Sequence, residues 1–178
     1  MTPAPPAPPA PRRLVVMRHA KAEQHGPTDF QRPLAERGHD DARAAGRWLA
    51  SLPGQPDHAL VSAALRTRET WAAVCEGAGW GSVAVDEDRA LYEAGVDSAL
   101  DLLRERPSDA AYVVVVGHNP TMGSLAQLLD DGEGDDEAGN ALAMGYPTSA
   151  LSVFDVECPW EDLYPGRATL VAHHVARG

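Results

Sequence analysis

The chain has 178 residues, 44% of them hydrophobic and 23% charged, and carries 26 acidic against 15 basic side chains for a formal net charge of -11. That length and balance suit one globular domain with a substantial core, and they leave two full domains cramped. So acidic a surface repels nucleic acid and anionic lipid, which disfavours a phosphate-tracking groove but not one small positive pocket.

The chain opens with "MTPAPPAPPAPRR", whose alternating Pro and Ala supply too few backbone donors for a helix or strand. Residues 1–12 are therefore expected to form an extended, mobile arm ahead of a domain over 13–178. The arm lacks the apolar stretch of a secretory signal, and no run approaches the ~20 apolar residues of a membrane span, so a cytoplasmic location is expected. Cys75 and Cys158 stand far apart without a C-x-x-C spacing, and reduced thiols are the simpler reading, with one disulfide left open.

Beyond the arm, short β-branched runs alternate with helical patterns. "RLVVM" over 13–17 reads as a buried strand, and the spacing over 34–52 as an amphipathic helix stopped by Pro53-Gly54. A strand over 58–62 precedes a helix over 64–77. A short strand over 82–86 is followed, after a loop, by a helix over 96–107. "AYVVVVGH" over 111–118 is the strongest strand signal and leads into a helix over 121–131. The acidic, Gly-rich stretch 131–140 reads as a solvated loop. Strands over 150–156 and 168–175 close the chain, as a hairpin-like pair. This alternation predicts a single-domain, three-layer α/β/α fold around a mostly parallel central sheet.

Ligands of such sheets sit at the carboxyl ends of the strands. Four polar clusters fall there: Arg18-His19, Ser62 to Arg68, Glu93 in the loop after the third strand, and His118-Asn119. Each is unremarkable alone, because a single histidine at a strand end is more often a hydrogen-bonded structural residue. Brought to one rim, two imidazoles and two guanidinium groups call for an anion. A phosphoryl group fits, since arginine presents a planar fork to two phosphate oxygens. A neutral imidazole in line with phosphorus would attack it, and a nearby carboxylic acid would protonate the leaving group.

"VVMRHAKAE", "VSAALRTRET", "LYEAG" and "VVVVGHNPT" together resemble the histidine phosphatase superfamily, the phosphoglycerate mutase-like fold, over about residues 13–156. Ala20-Lys21-Ala22, "DFQRPLAERG" from Asp29 and "YPTSAL" from Tyr146 resemble its small SixA-type phosphohistidine phosphatase branch. The resemblance implies His19 as the phosphorylated nucleophile, with Arg18, Arg66 and His118 binding the phosphoryl group and Glu93 at the general-acid position. Lys21 either widens the positive pocket or merely solvates its loop. Pro33 is read as a helix start; on the alternative reading Asp29 and Arg32 edge the pocket, with Arg32 the functional member. Arg68 is assigned to the surface, and Asn119 to orienting its loop.

The implied activity is a metal-independent phosphatase that needs no cofactor, acting on phosphohistidine carried by a protein. The alternatives are a small-molecule phosphomonoesterase, a phosphoglycerate mutase-like enzyme or a non-catalytic phospho-ligand module. The short loop after Leu91 favours an open site and a protein-borne phosphate. A metal centre is disfavoured, because H-E-x-x-H and paired cysteines are lacking and His173 and His174, adjacent on a strand, would face opposite ways.

Overall fold

In the computed structural model, which describes residues 9–178, the strands are β1 (Arg12–Arg18), β2 (His58–Ser62), β3 (Ala84–Asp88), β4 (Tyr112–Gly117), β5 (Ala150–Val156) and β6 (Thr169–Val175). The helices are α1 (Glu36–Ala50), α2 (Leu65–Ala78), α3 (Arg89–Glu93), α4 (Val96–Arg104), α5 (Thr121–Leu129) and α6 (Asp136–Ala143). The strands form one sheet in the order β3-β2-β4-β1-β5-β6. β3, β2, β4 and β1 run parallel to one another, and β5 lies antiparallel to both β1 and β6. The expected three-layer α/β fold is the one observed. Most of the predicted arm, residues 1–8, lies outside the described residues, and Arg12 already pairs with Val156 in the sheet.

Alternation along the two central strands builds a core on each face. Leu14 and Val16 of β1 and Val113 and Val115 of β4 pack with Leu100, Leu103, Leu125 and Leu129 from α4 and α5. Val15, Met17, Val114 and Val116 turn the other way, against Ala42, Ala45 and Leu49 of α1 and Trp71 and Val74 of α2. These strand residues are fully buried, each contributing about 1.5–3 kcal/mol relative to exposure. A strand with no polar face fits only the middle of such a sandwich, which is why β1 and β4 are adjacent there.

Four local expectations change. The third strand starts two residues later than 82 and carries Asp86, Glu87 and Asp88, because it is an edge strand whose limits follow its pairing with β2. Glu93 is not in a loop: it ends α3, which Asp88 caps by accepting the Leu91 N–H at 3.1 Å. The acidic stretch does not stay a loop through 140. Asp135 accepts the Ala138 N–H at 2.8 Å and starts α6, which buries Ala138 and Leu142. Pro33, in turn, does not begin a helix: α1 starts at Glu36, and the Pro33 carbonyl accepts the Glu23 N–H.

Candidate active site

The sheet delivers its chemistry at one rim. Arg18 and Gly117 are register partners at the ends of β1 and β4, so His19 and His118 leave adjacent parallel strands side by side. Their ring centroids are 5.3 Å apart. β2 ends at Ser62 and turns directly into α2, whose second residue is Arg66. The Thr67 hydroxyl bonds the Ser62 and Ala64 carbonyls at 2.7 Å and fixes that turn.

His19 is held at both ends of its backbone: its N–H donates to the Gly117 carbonyl, and its carbonyl accepts from Ser149. The following N–H, of Ala20, donates to Thr70 Oγ1, which itself donates to the Arg66 carbonyl. In the ring, Nδ1 lies 2.7 Å from the Ala20 carbonyl oxygen. A carbonyl only accepts, so Nδ1 carries the proton and Nε2 keeps its lone pair. Burial, helped by the Arg66, Arg18 and Arg32 charges, pulls the His19 pKa down to about 4. The side chain is neutral near pH 7, with a lone pair on Nε2.

His118 Nε2 lies 2.8 Å from Ser62 Oγ. That hydroxyl also accepts the Ala64 N–H at 3.4 Å. Burial and the neighbouring His19 and Arg66 lower the His118 pKa to about 3. Nδ1 is buried and has no hydrogen-bond partner among the described residues, and the same holds for Arg18 Nε and Arg66 Nε. Two buried guanidinium N–H groups lacking acceptors, beside two neutral imidazoles, are what an oxyanion site needs.

The arginines are aimed by carbonyls. Arg18 Nη1 donates to the Tyr146 carbonyl at 3.1 Å, and Asn119 Nδ2 donates to the same oxygen at 2.7 Å. Asn119 Oδ1 accepts the Gly123 N–H, so this residue does orient its loop. Arg66, only 5% exposed, donates to the Asp29 carbonyl at 2.8 Å and to Asp29 Oδ2 at 3.3 Å. Asp29 also accepts from the Tyr92 hydroxyl (2.6 Å) and from Arg32 Nε (3.0 Å). The Tyr92 hydrogen bond leads these contacts in holding the Asp29 carboxyl down at about 2.

Among the sequence candidates, then, Arg18, His19, Arg66 and His118 come together. Arg32 reaches them through Asp29 and is anchored by the Glu23 carbonyl. Lys21 is exposed; its backbone carbonyl takes the Ala35 N–H, and its side chain makes no hydrogen bond or ion pair with a described residue. Glu93 is likewise exposed and unpaired among the described residues. Its neighbour Tyr92 meets the His118 ring edge-on at 5.5 Å. Tyr92, Ser62 and Thr70 carry no sequence signal beyond their places in the motif blocks, and the ordering role of Asp29 is visible only in three dimensions.

A sheet rim that gathers a neutral imidazole, two guanidinium groups and orphaned donors defines a phosphoryl-handling enzyme. The family model of the histidine phosphatase superfamily (branch 1) matches residues 14–99, and the chain belongs to that superfamily, as a hydrolytic phosphatase. An uncharacterized Mycobacterium tuberculosis protein is 38% identical over 164 residues, covering 90% of this chain and all of that one. The solved Nakamurella multipartitia protein provisionally named phosphohistidine phosphatase SixA shares 34% identity and a TM-score of 0.83, over 95% of this chain and 98% of its own. The Escherichia coli phosphohistidine phosphatase SixA is 29% identical over 123 residues, 68% of this chain and 76% of that protein.

Proposed function

We propose that the protein removes phosphate from phosphohistidine on a protein partner in the cytoplasm, where its two cysteines serve as free thiols, with His19 as nucleophile. Arg18, Arg66 and His118 hold the phosphoryl oxygens. Nε2 of His19 attacks phosphorus, the bond to the substrate imidazole breaks, and its electron pair returns to that nitrogen. The first step leaves phospho-His19; water then attacks its phosphorus, releasing inorganic phosphate and restoring the lone pair.

The observation that carries the choice of substrate is that no described carboxyl is poised to protonate a leaving group: Asp29, which touches Arg66, is ion-paired with it at 3.3 Å, and Glu93 is exposed and unpaired among the described residues. A phosphohistidine protonated on its other ring nitrogen leaves as neutral imidazole and needs none. Lys21 and Arg32 add positive charge at the mouth, and Glu93, from the end of α3, is available to the water-attack step.

The test is phosphate release from phosphoimidazole and from a phosphohistidine protein, beside a panel of phosphomonoesters. Wild type is expected to release phosphate from both phosphoramidates and to trap 32P on the chain, and His19→Ala to do neither. Undiminished turnover by His19→Ala, or strong preference for one phosphomonoester, would overturn the assignment.

A further inference from the structure

A second feature borders the cradle without taking part in it. A cavity of about 630 Å³ opens between the 3-10 turn Asp29–Gln31, the start of α2 and the start of α3. Phe30 and Leu65 give it apolar walls, and Arg68 and Arg89 give it charge. Its wall is continuous with the site, because residues alternate between the two: Asp29, Arg66 and Tyr92 face the cradle side, and Phe30 and Leu65 line the cavity. The Phe30 ring meets Tyr92 edge-on at 5.0 Å, and Tyr92 in turn meets His118.

The charge here is unsatisfied in a chain of net charge -11. Arg68 has only a loose contact with Glu87 at 3.8 Å, between two half-exposed side chains. Arg89 makes no ion pair among the described residues; its guanidinium lies over the Phe30 ring, 4.7 Å from the centroid. Stacking on the ring holds the arginine in place and leaves its N–H edge free for a carboxylate.

We propose that this cavity is the docking subsite for the substrate polypeptide, and that it receives an acidic side chain lying near the phosphohistidine. The proposal rests on the phosphohistidine reading above and extends it to the surrounding sequence. Ring-to-ring steps of 5.0 and 5.5 Å lead from Phe30, on the cavity wall, through Tyr92 to His118 and bound the span between them. An extended chain advances about 3.4 Å per residue, so the acid belongs roughly three residues from the phosphohistidine. The apolar walls would take the intervening side chain.

Two phosphohistidine peptides test this, one with Glu and one with Gln three residues to either side, alongside phosphoimidazole, which is too small to reach the cavity. Wild type is expected to show a KM roughly tenfold lower for the Glu peptide, the scale of two partly exposed charge pairs, with similar kcat. The double variant Arg68→Gln, Arg89→Gln should lose that preference while keeping phosphoimidazole turnover, and Arg89→Glu should come to prefer a Lys-flanked peptide. Equal KM values in wild type, a preference that survives the double variant, or tighter use of a small bisphosphate than of either peptide would overturn the proposal. Failure to hydrolyse phosphoimidazole at all would instead overturn the phosphatase assignment, and the docking subsite with it.

Discussion

Asp29 competes with the phosphoryl group for Arg66, because its carboxylate and the oxyanion want the same guanidinium edge. Its backbone carbonyl binds Arg66 independently at 2.8 Å, so the arginine keeps its aim when the charge is removed. Asp29→Asn is therefore expected to lower the inhibition constant for inorganic phosphate roughly three- to tenfold, the effect of one screened charge a few ångströms away. A raised constant would show that the carboxylate's positioning of Arg66 outweighs its repulsion. His19 offers a second check at this scale. With its pKa at about 4, its imidazole NMR resonances should stay unmoved from pH 8 to 5 in the free enzyme; a titration near 6.5 would contradict the buried, neutral nucleophile. The four central residues were legible in the sequence because each follows a strand and sits in a dense motif. Asp29 was read only as an alternative edge of the pocket and Tyr92 not at all, because the contacts of Asp29 with Arg66 and Tyr92 span 37 and 63 positions and neither residue type announces such a contact. Glu93, flagged by motif position, stands beside Tyr92, the residue that touches His118.

At the scale of elements, α1 and α2 set where Arg66 and Thr70 stand, and they touch through two reciprocal glycines. A Cβ on Gly46 would lie 2.0 Å from the Val74 carbonyl oxygen, and one on Gly77 would lie 2.1 Å from that of Arg43. Backbone cannot yield there as a side chain can, so the helices must separate. Gly46→Ala is expected to cost about 1–3 kcal/mol as an overpacked contact, lowering Tm by about 2–4 °C per kcal/mol for a chain of this size. Because α2 carries Arg66, phosphate affinity should weaken in the same variant. A Tm within 1–2 °C of wild type would refute so close an approach. The buried strands were legible from β-branched runs, and β5 was found at its observed limits, 150–156. The exposed elements were harder. The edge strand β3 has no burial pattern to fix its ends. α6 hid behind glycines and carboxylates, although Asp135 with Asp136 and Glu137 in the first turn is a helix-start signal.

For the whole molecule, the site's chemistry and the fold's stability are linked through the same buried groups. Burial lowers the pKa of His19, His118, His58, His173 and His174. Between the ordinary value of 6.5 and about 3 to 4, the unfolded chain therefore binds more protons than the folded one, and stability falls as pH drops through that window. At the other end, burial raises the acids: Cys75 to about 11 from 9.0, Tyr112 to about 12 from 10.0, and Tyr146 further still. Above pH 9 the unfolded chain loses these protons first, so stability falls again as pH rises. Thermal unfolding followed by circular dichroism should thus show a Tm plateau between about pH 6.5 and 9, with a shoulder on each side. Phosphate should oppose the acid limb, since a bound phosphate anion raises the pKa of His19 and His118 and adds its own binding free energy to the folded state. Arg66→Ala should abolish that protection while leaving the alkaline limb in place. A Tm that keeps rising from pH 6.5 down to 4 would mean that these histidines are charged in the folded protein, and His19 could not then be the nucleophile.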